Sequence, residues 1–198
     1  MNPTTGQCKG GAATARGRGP SSFWLQDPEP VFAHLALRED TLFVDAGCGA
    51  GEYALYAARR LGPTGRVVAL DSSRESIDWL RANGNQPGAA PLSGHVCDIT
   101  AAMPLETGQA DVVMLATVLH IRAVRDRAAP LFREIARILR PGGTLAVLEC
   151  AKKEANFGPP LHARLAPEDV ARLAAPAGFR SSSVLLLEHT HLTCLSPG

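Results

Sequence analysis

Residues 44 to 53 read VDAGCGAGEY, in which one carboxylate, Asp45, precedes glycines at 47, 49 and 51. Glycine permits a tight turn and lets backbone approach a ligand closely, so three glycines in alternation point to a flat or extended ligand. A bare strand-to-helix turn needs only one. The dinucleotide fingerprint GxGxxG requires a third glycine where Glu52 stands, the spacing here being GxGxG. Asp45 would repel a pyrophosphate and suit a cationic group. Asp71 ends the run VVALD at about the twenty-residue distance where a ribose-binding acid is expected.

The other chemically capable residues lie farther along the chain. His120 follows an apolar run and is either a base suited to neutral pH or a packing histidine. Glu149 ends another such run, as an acceptor contact or a hydrogen-bond partner for the next loop. His162 and Arg164, in GPPLHARL, sit in a proline-stiffened segment where they would bind an anionic acceptor or face solvent. Five cysteines, at 8, 48, 97, 150 and 194, form no CxxC pair, which argues against a zinc ribbon or a redox dithiol and for reduced thiols in a cytoplasm. Cys48, Cys97 and Cys150 all follow or end apolar runs. Soft thiolates there would suit arsenite, whereas the commoner use of cysteine is as a small buried hydrophobe. No metal site is expected.

These residues need a frame. TLFVDA, RVVALD, HVCDI, DVVMLAT and TLAVLEC read as five buried strands, alternating with helices over EYALYAARRL, SSRESIDWLRAN and RAAPLFREIARIL. Ser72 and Glu75 have capping-box spacing, and Gly62-Pro63 and Pro141-Gly142-Gly143 act as stops. A short helix is expected after Pro28 or Pro30, with Val31, Phe32, Leu35 and Leu37 packing. Phe23 and Trp24 are either an anchor for it or a lid. A last helix starts near Pro167, and SSSVLLLEH and HLTCLS are too close for a crossover, so they form an edge hairpin. The pattern predicts an open α/β sheet, in which ligands bind outside the carboxyl ends of the strands.

The chain of 198 residues suits one core, expected over residues 23–198 behind a flexible tail of residues 1–22. Its net charge of +1 and scattered basic residues offer no stripe for nucleic acid, and no apolar run approaches the ~20 residues of a membrane span. The acid-poor start lacks an apolar signal core.

Taken together, the motifs resemble those of the class I S-adenosylmethionine-dependent methyltransferases. VDAGCGAGEY is similar to their D/ExGxGxG motif, and VVALDSS, HVCDIT, ADVVMLATVLHI and LRPGGTLAVLE resemble the motifs that follow, in order. The resemblance covers about residues 32 to 194, and the nearest branch is the small bacterial, ubiquinone/menaquinone-biosynthesis-like (type 11) group. It implies a Rossmann-like seven-stranded sheet of order 3-2-1-4-5-7-6 with strand 7 antiparallel. It also implies that Asp45, Gly47, Cys48, Gly49 and Gly51 hold the methionine end of S-adenosylmethionine. Asp71 and Ser72 would meet the ribose, Asp98 and Ile99 the adenine, and Ala116 and Thr117 would border the methyl. S-adenosylhomocysteine would be the product and a small molecule the acceptor, with the protein a monomer or homodimer. A non-catalytic S-adenosylmethionine-binding module and a NAD(P)-dependent oxidoreductase are the other classes the pattern allows, the second opposed by Asp45 and the GxGxG spacing.

Overall fold

The computed structural model describes residues 21–198. The expected tail lies outside them up to residue 20, Cys8 included. Seven strands form one sheet of order β3-β2-β1-β4-β5-β7-β6. They are β1 (Leu42–Ala46), β2 (Arg66–Asp71), β3 (Leu92–Val96), β4 (Ala110–Ala116), β5 (Leu139–Cys150), β6 (Phe179–Leu186) and β7 (Thr190–Pro197). The first five pair in parallel, and β7 runs antiparallel to both β5 and β6, as expected.

The helices α1 (Glu29–Leu35), α2 (Glu52–Leu61), α3 (Arg74–Asn83), α4 (Arg122–Arg125), α5 (Ala128–Ile138) and α6 (Pro167–Ala174) cover the sheet. Strand alternation divides the core into two layers. Val44, Val113, Leu115, Leu145 and Val147 pack with Phe132, Ile135 and Val170 of α5 and α6, while Phe43, Met114, Ala146 and Leu148 pack with Phe32, Tyr53 and Ile77 of α1, α2 and α3. The central strands are therefore apolar on both sides, which explains their continuous apolar runs.

Three local expectations change. The cap of α3 is Ser73, whose side chain accepts from the Ser76 amide at 3.2 Å, and not Ser72. The reason is Asp71, whose Oδ1 takes the Ser73 amide at 2.8 Å and holds the chain extended one residue longer. Strand β3 runs Leu92–Val96, beginning three residues before the HVCDI stretch and ending within it. Helix α5 ends at Ile138, and β5 starts immediately, with a register break between Ala110 and Val112 where Arg140 to Gly143 bulge. The Pro-Gly-Gly stretch thus lies within a strand, Gly142 at φ 74° making the bulge.

Candidate functional site

The sheet order reverses between β1 and β4, whose neighbours lie to opposite sides, and in sheets of this kind a ligand is expected at the carboxyl ends of such a pair. The glycine turn fills the β1 side. Gly47 and Cys48 both donate to the Leu70 carbonyl, at 2.7 and 3.0 Å, and Gly51 donates to the Cys48 carbonyl at 2.8 Å before α2 begins. Two of the glycines are required by the protein's own packing as well as by any ligand. A Cβ on Gly47 (φ 80°) would lie 2.8 Å from Val118, and one on Gly51 (φ 82°) 2.5 Å from Leu80.

Asp45 is the anomaly of this turn. It is buried on the α2 side of β1, and neither carboxylate oxygen has a hydrogen-bond partner. Burial pushes its carboxyl up to about 7; the nearby Ala54 amide, outside hydrogen-bond geometry, opposes the shift, and the charges of Asp71 and Glu52 add to it. Leaving such a group without a partner is costly, and a bound cation would supply one. Asp71, one strand over, is held differently. Its Oδ2 accepts from the Gly49 amide at 2.8 Å and its Oδ1 from Ser73, so it ties the glycine turn to the start of α3. Ser72 beside it is exposed.

Asp98 stands at the rim beyond β3. Its Oδ1 accepts from Thr100 Oγ1 at 2.7 Å and from the Thr100 amide, which holds the carboxyl below its usual range, while Oδ2 pairs with Arg127 at 3.2 Å. Ile99 is buried, and its side chain approaches Gly47.

The β4 side brings hydroxyl, imidazole and carboxyl groups together. Thr117 has φ 53°, a left-handed conformation costly for a β-branched residue, and its amide bonds the Leu148 carbonyl at 2.7 Å. Its Oγ1 donates to the Ala116 carbonyl at 2.8 Å and lies 3.1 Å from Ser22 Oγ, which in turn lies 3.4 Å from Tyr53 Oη. Val118 closes on Gly47. His120 is partly exposed and its Nδ1 meets Glu149 Oε2 at 3.1 Å, while the Leu119 amide donates to Glu149 Oε1 at 2.8 Å.

The remaining expectations separate here. Arg164 does not face an acceptor: it is buried, and its guanidinium donates to the carbonyls of Ala151, Phe157 and Pro159, clamping the loop after β5. An irregular segment with unpaired carbonyls needs such a donor, which is why an arginine stands there. His162 is exposed in a short 3-10 turn. Phe23 packs on α2 by edge contacts with Tyr53 and Tyr56, and Trp24 is exposed with its indole nitrogen bonded to Glu52. Ser22, assigned to the tail by sequence, is the residue of this segment that enters the site. Tyr53 was also missed, although it stands two positions past the last motif glycine; burial pushes its phenol well above the ordinary value. Only the tertiary contact with Ser22 marks it out.

Burial raises the thiols of Cys97 and Cys150, and among the described residues no three His, Cys, Asp or Glu side chains gather to hold a metal ion. No helix among them is long and apolar enough to cross a membrane.

A family profile described as a methyltransferase domain matches residues 44–147. The arsenite methyltransferase of Halobacterium salinarum is 31% identical over 117 residues, 59% of this chain and 28% of that protein. The demethylmenaquinone methyltransferase of Lactococcus lactis is 29% identical over 106 residues, 54% of this chain and 40% of that protein. The chain thus spans less than half the length of these curated relatives. A solved S-adenosylmethionine-dependent methyltransferase from Aquifex aeolicus, 25% identical, superposes with a TM-score of 0.78 over 89% of this chain and 92% of its own. A cyclase, SpnF, shares the fold at 20% identity and a TM-score of 0.67, so the fold alone does not set the reaction.

Proposed function

Because the chain belongs to the methyltransferase-domain family, within the class I S-adenosylmethionine-dependent methyltransferases, we propose that it transfers the methyl group of S-adenosylmethionine to a small-molecule acceptor in the cytoplasm. The observation that carries this reading is Asp45, a buried carboxylate with no protein partner at the end of β1 beside the glycine turn. An ammonium is the ligand group that would neutralise it.

In this reading Asp45 and the backbone of residues 47 to 51 hold the methionine end, with Cys48 packing in the turn. Asp71 accepts from the ribose hydroxyls, with Ser72 alongside. Asp98 and the backbone of Ile99 meet the adenine, for which the Arg127 contact with Asp98 must be shared or yield. Ala116 and Thr117 border the reacting carbon. The ligand supplies a methyl group already activated by a sulfonium, so the protein's task is to align the acceptor and exclude water. The hydroxyls of Ser22, Thr117 and Tyr53 lie where an acceptor would be oriented.

An arsenite acceptor is the second reading, prompted by the Halobacterium relative. The thiols speak against it, since a ligand to arsenic must be a thiolate and burial here favours the protonated form. Calorimetric titration with S-adenosylmethionine, S-adenosylhomocysteine and NADH tests the cofactor. Binding of the first two alone supports the proposal, and binding of NADH alone returns the chain to the oxidoreductases.

A further inference from the structure

We infer that His120 and Glu149 act as a base and its positioning residue, and that the acceptor therefore carries an acidic hydroxyl of the phenol or enol type. The inference rests on the reading of this crevice as a methyl-transfer site. Strands β4 and β5 pair with Ala116 beside Leu148, which brings the turn after β4 against the end of β5. Glu149 there is fully buried, and both its oxygens accept: Oε1 from the Leu119 amide at 2.8 Å, Oε2 from His120 Nδ1 at 3.1 Å. A carboxylate so placed only accepts, so the proton of a neutral His120 sits on Nδ1 and the lone pair on Nε2. Among the described residues none hydrogen-bonds Nε2, and the side chain is 22% exposed. Val118, two residues before His120, packs against Gly47, so the turn that carries His120 abuts the glycine turn.

A neutral carbonyl would orient a merely structural histidine at less cost than a buried carboxylate, whose desolvation amounts to several kcal/mol. What the carboxylate adds is stabilisation of the imidazolium that forms once Nε2 takes a proton. Such a base is wasted on a nucleophile without a proton, such as trivalent arsenic or a thioether. A thiol, with a pKa of about 8.5, already supplies a few per cent of strongly nucleophilic thiolate at neutral pH and needs no base, and an aliphatic alcohol is too weak an acid for imidazole. A phenol or enol near ~10 falls between them. In the step, the hydroxyl proton passes to Nε2 as the oxygen forms its bond to the methyl carbon. The electrons of the broken carbon–sulfur bond go to sulfur, leaving a neutral thioether, and the positive charge resides on the imidazolium facing Glu149.

The test uses the full chain with methyl-labelled S-adenosylmethionine and two acceptors at pH 8.5, 4-methylphenol, which is mostly protonated there, and 4-nitrophenol, which is already ionised. His120→Ala should lower turnover of 4-methylphenol by roughly 10²–10⁴-fold and that of 4-nitrophenol by less than about tenfold. Glu149→Gln should follow the same pattern in kcat, with KM changed by less than about threefold. In nitrogen-15 NMR of the unsubstituted protein, His120 should be the Nδ1–H tautomer, and in Glu149→Gln the Nε2–H tautomer. Equal losses on both phenols, or an Nε2–H tautomer in the unsubstituted protein, would overturn the pair as a base. Binding of S-adenosylmethionine without methylation of either phenol overturns the acceptor class alone, whereas failure to bind it overturns the site reading beneath. Should Glu149→Gln not fold, the tautomer of the unsubstituted protein and the His120→Ala pair of rates still decide.

Discussion

Asp45 and Asp71 end neighbouring parallel strands, one with neither oxygen partnered and the other with both oxygens accepting backbone amides. The contrast assigns them different work. Asp71 joins the glycine turn to the start of α3, and on the proposed function Asp45 is the group that meets the ligand's ammonium. The fold tolerates Asp45 in the absence of a cation because its carboxyl is pushed up to about 7.

A pH dependence follows from that shift. A carboxyl raised from 3.8 to about 7 holds its proton more tightly in the folded state than in the unfolded one. Stability of the ligand-free protein therefore falls as pH rises from about 4 to about 7 and levels off above, the total being on the order of 2–4 kcal/mol. Asp45→Asn should remove much of this fall in urea denaturation at pH 5 and pH 8, while weakening S-adenosylmethionine binding at least tenfold at pH 8. Near pH 6 binding should release a proton, visible as an enthalpy that varies with the buffer's ionisation heat. A buffer-independent enthalpy would refute the ammonium assignment.

Asp71→Ala should weaken S-adenosylmethionine binding by roughly 1.5–3 kcal/mol, since charge-assisted hydrogen bonds are lost. It also frees the Gly49 and Ser73 amides, so a thermal melt should accompany the titration. Unchanged affinity in a folded variant would remove Asp71 from the ribose site.

Arg164→Met should act on the fold and spare the cofactor. It leaves three carbonyls of the loop after β5 without their donor. A loss of about 3 kcal/mol in chemical denaturation is expected, with S-adenosylmethionine affinity within about twofold of the original. A stable variant with a raised KM for the acceptor would restore Arg164 to the substrate side.

Gly51→Ala meets two obstacles together, a φ of 82° and a Cβ 2.5 Å from Leu80. A destabilisation of about 2–4 kcal/mol is expected in urea denaturation. Adding Leu80→Ala should fail to rescue all of it, because the backbone strain remains; full rescue would make the contact the sole cause.

Much of this protein was legible along the chain because local chemistry dictated it. Buried strands announce themselves as apolar runs, so the five parallel strands and the edge hairpin could be placed from residue types alone. The glycine turn was legible because alternating glycines after a buried strand demand bare backbone, and a Cβ on Gly47 or Gly51 would indeed meet Val118 or Leu80. Short-range geometry was less so: whether Ser72 or Ser73 caps α3 depends on where Asp71 points, and whether residues 140 to 143 end a helix or bulge a strand depends on Ala110 across the sheet. What only the tertiary structure decided are the encounters between residues remote in sequence. Arg164 reads as an anion binder or a solvent-facing charge until three loop carbonyls surround it, Ser22 reads as tail until it meets Thr117 at 3.1 Å, and His120 reads equally as a base or a packing residue until Glu149 stands beside it at 3.1 Å. A residue's type limits what it can donate or accept, but its partner is chosen by packing over the whole sheet, and function at this crevice lies in those pairings.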